Sequence, residues 1–204
     1  MPTDPEKYYF TSTHHVPNSR LPALIYRSAI PRQSNGEPPT AEWTRECIEK
    51  NEWMQGGVFK TFKAHHFHSV THECYAVFRG SSRLLLGRGP LDDAASHDGQ
   101  EVDVTVGDVV VLPAGVAHCS LSSEDDYEYV GLYPKVRCAT QGHLNHVTDI
   151  LQGSPRYDNN FCKAGPDETK RKAEVCEQVA IPNHDPVFGA GGPLVSIWNA
   201  SSTS

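Results

Sequence analysis

The chain has 204 residues and a formal net charge of −7, with 25 Asp and Glu against 18 Lys and Arg, which is enough length for one sizeable domain and too little for two with a linker. The longest basic run, Lys170-Arg171-Lys172, sits beside Glu168 and Glu174, so it reads as a solvated helix face and no nucleic-acid partner is expected. No apolar segment follows the start MPTDPEKYYF and no 18 apolar residues run together, so the expectation is a cytoplasmic protein with no membrane partner, its six cysteines reduced and without a CxxC pair.

The predicted elements begin with an N-terminal arm, polar and rich in proline, whose one apolar run, Leu21 to Ile30, reads as a strand laid against the domain. Thr40, after Pro38-Pro39, can cap a helix running to Asn51, in which Trp43, Cys47 and Ile48 share a face. From about residue 56 to 135 the pattern changes to short strands punctuated by turns, the signature of a sandwich or barrel. Val102, Val104 and Val106 alternate with polar residues. Gly107-Asp108 then turns the chain into Val109 to Leu112, with glycine where a tight turn favours φ > 0. Leu91 to Gly99, with Asp92, Asp93 and His97, reads as a polar loop, and Tyr127 to Tyr133 as a further strand.

Beyond residue 135, Leu144, Val147, Ile150 and Leu151 have helical spacing, and Asp167 to Val179 can form a helix with Ala173, Cys176 and Val179 inward. Pro182 to Trp198 is expected to return as an extended tail, with turns at Gly189, Gly191 and Gly192. The domain plan is thus one unit over 1–204: an arm and helix (1–55), a barrel core (56–135) and a helical and extended C-terminal extension (136–204).

Two segments carry the chemistry. In a strand, residues i and i+2 share a face about 6.5–7 Å apart, so His66 and His68 can converge on one ion while His65 and Phe67 face away. Four residues separate His68 from Glu73 and six separate Glu73 from Gly80. A second block, GDVVVLPAGVAH, runs from Gly107 through Pro113 and Gly115 to His118.

With these segments the chain resembles the cupin superfamily, whose motifs are G(x)5HxH(x)3–4E(x)6G and G(x)5PxG(x)2H(x)3N. The chain departs from them in having Lys60 for the leading glycine and Ser122 for the closing asparagine, and neither is a ligand position. The segment His65 to Glu73 is similar to the HHxHSxxHE form of the YjlB-like group, and VPNSRLPALIYR, NEWMQGG and IPNHDPVFGAGGPLVSIW extend the likeness from about residue 16 to 198. The resemblance implies an all-β cupin double-stranded β-helix, a jelly-roll barrel with a few peripheral helices. It also implies a metal site of His66, His68, Glu73 and His118.

Three neutral imidazoles and a carboxylate suit a divalent transition metal (Fe, Mn, Ni, Cu or Zn) rather than Ca or Mg, and leave up to two octahedral positions for substrate, water or O2. Glu73 can also act as a base, and it is expected to ligate directly. Strand alternation sends His72 to the opposite face, although a bent strand start would exchange the two. Tyr75 and Val77 follow Glu73 onto the barrel lumen, Tyr75 as a hydrogen-bonding catalytic residue and Val77 as core. Cys119 is a buried thiol of opposite parity to His118.

The expected function is a metal-dependent enzyme acting on a small organic molecule, with a dioxygenase-type oxidoreductase leading. The alternatives are a decarboxylase, lyase or isomerase, or a cupin that only binds a small ligand. A homodimer is expected.

Overall fold

The computed structural model describes residues 4–95, 99–135 and 157–202. The expected helical spacing of Leu144 to Leu151, and His97 of the polar loop, lie outside the described residues.

One antiparallel sheet of seven strands organises the domain, in the order β1 (Glu6–Tyr8), β2 (Ala23–Tyr26), β6 (Val109–Leu112), β4 (Glu73–Leu86), β7 (His118–Pro134) and β3 (Trp53–Phe59), with β5 (Gln100–Thr105) paired to β4. β4 and β7 are 14 and 17 residues long and pair along nearly their whole length. The first half of β4 also pairs β6 and the second half pairs β5, so each long strand belongs to both walls of the barrel. The bend between the walls falls where the β4–β7 register shifts around Arg79, beside Gly80, Asp125 and Asp126, all at positive φ. This is the all-β jelly-roll class expected, with few helices.

The strands are buried on both faces, which is why ALIY, ECYAVF and VVVL read as continuous buried runs rather than alternating ones. Ile25, Tyr75, Val77, Val110, Leu112 and Tyr129 fill the lumen. Leu24, Tyr26, Cys74, Ala76, Val109, Val111 and Leu132 face outward onto Ile48 of α1 (Ala41–Glu49), and onto Leu194 and Trp198. Thr40 caps α1 as expected, its hydroxyl accepting from Trp43 N at 3.2 Å, although Thr44 and Ile48 are its buried residues and Trp43 and Cys47 are only partly covered. Gly107 turns at φ 94°, and Gly115 has φ 92° where a Cβ would lie 2.5 Å from Asn18 O.

α2 spans Pro166–Cys176, shorter than the expected Asp167 to Val179. The C-terminal tail departs from the extended reading: after a small hairpin of β8 (His184–Asp185) and β9 (Gly189–Ala190), Pro193–Ser202 is a helix, α3. Asp185, fully buried, accepts from Leu194 N at 2.9 Å and so supplies the α3 N-terminus with an acceptor that local sequence lacks. Leu194 and Trp198, four apart, then bury one face of the helix. Described Cys47, Cys74, Cys119, Cys162 and Cys176 are free thiols. No helix among the described residues is long and apolar enough to cross a membrane.

Candidate metal centre

His66 and His68 were expected in a strand. The structure gives them something less regular: His66 makes an isolated bridge to His118 and Phe67 one to Asn160, in a segment otherwise without strand. Alternation nonetheless holds over these three residues. Phe67 packs among Val16, Ala114 and Ala117 on the far side, and the two imidazoles turn to the lumen. The bridge brings in His118, whose N–H donates to His66 O at 2.9 Å while His66 N–H donates to His118 O at 3.1 Å. Glu73 opens β4 next to it.

The structure brings His66, His68, Glu73 and His118 together, all four buried, with one donor atom from each within 4.8 Å of the others. Each imidazole is oriented from behind. His66 Nδ1 donates to Ala64 O at 3.0 Å, His118 Nδ1 to Val116 O at 3.0 Å and His68 Nδ1 to Asp158 O. A carbonyl can only accept, so each Nδ1 carries a proton and each Nε2 is the atom presented to the cluster.

Glu73 is divided between two tasks. Its Oε1 accepts from the Tyr133 hydroxyl at 2.7 Å, and its Oε2 lies 2.9 Å from His68 Nε2 and 3.2 Å from His118 Nε2. His118 Nε2 is buried without a hydrogen-bond partner, because it and the carboxylate oxygen beside it are both acceptors. A cation between them resolves that conflict. An ion about 2.1 Å from each donor sets neighbouring donors roughly 3.0–3.4 Å apart, close to the two spacings measured at Oε2. The residues present therefore fit a divalent transition ion held by three imidazole nitrogens and one carboxylate oxygen.

The electrostatics separate His66 from the Glu73–His68 pair. Burial, then the neighbouring His118, lower the His66 pKa to about 3, so His66 is a neutral donor. Burial opposes charge on His68, but the Glu73 carboxylate outweighs it and raises the His68 pKa. Burial likewise opposes charge on Glu73, and His68 and His118 overcome it, holding the carboxyl well below its usual range.

His72 faces the other way, as strand parity requires. Its Nδ1 accepts from Ala114 N at 3.0 Å and its ring packs 4.7 Å from Trp198, so it takes no part in the cluster. His65 also points away, its Nδ1 bonded to Arg88 O at 3.0 Å. Tyr75 lies in the lumen, stacked on Tyr129 at 4.1 Å and edge-on to His118 at 5.5 Å. Burial, then Glu73, raise its pKa well above the ordinary phenol value. Val77 is lumen core and Cys119 a buried thiol.

Sequence reasoning did not pick out Tyr133, Ser69 or Asp158. Tyr133 is placed by strand pairing: the register Cys74↔Leu132 sets Glu73 opposite Tyr133, on the face shared by Tyr129 and Tyr75. Ser69 N and Oγ donate to the Asp158 carboxylate at 2.8 and 2.6 Å, across 89 residues, and nothing local announces that pairing.

Fold and donor set describe an all-β domain with a buried group of three histidines and one glutamate that could hold a metal ion. No family model matches the chain. Among known protein sequences it is similar to the uncharacterised protein YjlB of Bacillus subtilis (strain 168), 27% identical over 199 residues that cover 97% of this chain and 99% of the relative, in keeping with the YjlB-like resemblance. Among solved structures it is similar to ChmJ, a 3'-monoepimerase from Streptomyces bikiniensis in complex with dTDP-quinovose (14% identity, TM-score 0.38, 92% of this chain and 99% of that one). RmlC from Streptococcus suis in complex with dTDP-D-xylose gives 13% identity and a TM-score of 0.34, over 66% and 73% of the two chains. Procruciferin, an 11S globulin from Brassica napus, gives 10% identity and a TM-score of 0.29 over 56% of this chain, which spans only 21% of the globulin. At these TM-scores the superpositions carry no argument about activity.

Proposed function

We propose that the protein binds one divalent transition-metal ion through His66, His68, Glu73 and His118 and acts on a small oxygen-bearing organic molecule, as a dioxygenase-type oxidoreductase. The observation that carries this reading is the shared aim of the four side chains: three Nδ1–H groups tied to carbonyls, and Glu73 Oε1 tied to Tyr133, leave three Nε2 atoms and one Oε2 converging. A carboxylate so tied offers one oxygen, so four donor atoms leave two positions of a six-coordinate ion for exchangeable ligands. A bound Fe, Mn, Ni, Cu or Zn ion would supply Lewis acidity and, for the redox-active members, a route to O2.

The chain's own residues supply the rest. Burial of all four donor residues strengthens electrostatic interaction with a developing oxyanion. Glu73, held ionised, contributes negative charge to the ligand set. Tyr75, held protonated beside His118, is placed to donate a hydrogen bond to substrate oxygen. Phe62 and Tyr157, both partly exposed, stand edge-on to His66 at 4.7 Å and to His68 at 5.6 Å, and form the aromatic approach to the site. A cytoplasmic homodimer completes the proposal, and sedimentation of the purified protein decides the oligomer.

Elemental analysis of protein purified without chelator, followed by O2-uptake assays on small acids, enols and phenols after reconstitution with each metal, tests the function. Near-stoichiometric metal with O2 consumption is expected. Zinc or nickel without uptake would move the assignment to decarboxylase, lyase or isomerase chemistry, and absence of metal would favour a binding protein. His118→Ala should lose the metal and Cys119→Ala should keep it; full occupancy in the His118 variant would remove the basis of the ligand assignment.

A further inference from the structure

Tyr157 to Asn160 approach the centre from a part of the chain far from either motif. Asn160 exchanges two backbone hydrogen bonds with Phe67, both 3.0 Å, which fixes the segment alongside the histidine pair. The Asp158 carbonyl accepts from His68 Nδ1. The Asp158 carboxylate accepts from Ser69 N at 2.8 Å, Ser69 Oγ at 2.6 Å and Asn160 Nδ2 at 2.5 Å, so the residue after His68 is bound to the residue that orients His68. One position further back, the Tyr157 ring stacks on Tyr133 at 4.9 Å with 4° between planes, and Tyr133 holds Glu73 Oε1. One short segment thus backs two of the four donors by separate routes.

We propose that Tyr157 to Asn160 is the outer clamp of the metal centre, with Asp158 the positioning residue for His68 and Tyr157 the support for the Tyr133–Glu73 pair; this rests on the metal-binding reading above. Asp158 acts through its carbonyl on the ring and through its carboxylate on Ser69, so that rotating His68 away from the ion means breaking contacts on both sides. A carbonyl behind Nδ1 selects the tautomer with a bare Nε2 and makes that nitrogen the better donor. Removing the carboxylate leaves the carbonyl chemically intact but unanchored. The expected consequence is a loosened ligand, not an unfolded barrel.

The test uses the full chain with Co(II) as probe, read by titration and by its visible absorption, together with the proton spectrum of the chelated protein, in which a carbonyl-bonded imidazole Nδ1–H exchanges slowly. Asp158→Ala should weaken Co(II) binding 10- to 100-fold, alter the Co(II) absorption and lose the His68 Nδ1–H resonance. Asp158→Asn, which keeps an acceptor for Ser69 N, should recover most of the affinity. Ser69→Ala, which deletes one hydrogen bond, should give a smaller loss and serves if Asp158→Ala does not fold. Wild-type affinity, absorption and Nδ1–H resonance in both Asp158→Ala and Ser69→Ala would overturn the clamp alone. Failure of the wild type to bind Co(II) would instead remove the metal reading, and the Nδ1–H resonance across the same variants would then decide whether Asp158 orients His68.

Discussion

Tyr133 shows how much of the centre depends on a residue that is not a ligand. Its hydroxyl, buried opposite Glu73 across the β4–β7 pair, donates at 2.7 Å to the one carboxylate oxygen that is not directed at the histidines. Tyr133→Phe keeps the ring and its stacking on Tyr157 while orphaning Glu73 Oε1, a buried acceptor whose loss of partner costs about 1–3 kcal/mol. The freed carboxylate can rotate, so metal affinity should fall about tenfold alongside the loss of stability. Calorimetric metal titration and urea unfolding of the same variant check both; unchanged affinity with reduced stability would confine Tyr133 to a packing role. The grouping of donors was legible because HxH spacing and the PAG turn are short-range features that survive folding even where the strand expected around His66 does not form. Their supports were illegible. Tyr133 depends on strand register, and Asp158 on a contact spanning 90 residues to His68.

Among the elements, the same contrast separates α1 from α3. Thr40 lies directly before α1 and caps it, so a local signal placed the helix start to within a residue. α3 starts on Pro193 after a run of glycines that reads as turn and tail, and its acceptor, Asp185, comes from the other side of the β8–β9 hairpin. That carboxylate also accepts from the Tyr26 hydroxyl at 2.6 Å, Val187 N at 2.8 Å and Phe188 N at 3.0 Å, tying the tail to β2. Trp198 adds an Nε1–H bond of 2.9 Å to Pro22 O. Asp185→Ala removes the shared acceptor of four buried or partly buried donors and should cost about 3–5 kcal/mol. For a chain of this size that corresponds to a fall of roughly 10 °C in Tm. A thermal melt showing a drop of under about 2 °C would mean that water replaces the carboxylate and that the tail docks by packing alone.

At the scale of the whole molecule, both faces of the sheet are covered, and this traps titratable groups on each side of β4 that must stay neutral. His66 lies on the lumen side with a pKa lowered to about 3, and His72 on the outer side, under Trp198, with a pKa lowered to about 4, in both cases chiefly by burial. An unfolded histidine takes up its proton near pH 6.5. Below that pH the unfolded chain binds protons that the folded chain refuses, so stability contributed by the neutral form is full above about pH 6.5 and declines as pH falls toward 4. For His72 alone the decline amounts to about 3 kcal/mol over that interval. The raised pKa of His68 acts with the opposite sign and softens the total. His72 is the group that isolates the effect, because it lies outside the donor cluster, where its Nδ1 accepts from Ala114 N. His72→Gln, which can keep an acceptor there, should flatten the pH dependence of unfolding free energy between 6.5 and 4 in the chelated protein. It should leave metal content unchanged. Urea unfolding at half-unit pH steps measures the slope; a slope identical to wild type would show that His72 takes up its proton in the folded chain as readily as in the unfolded one.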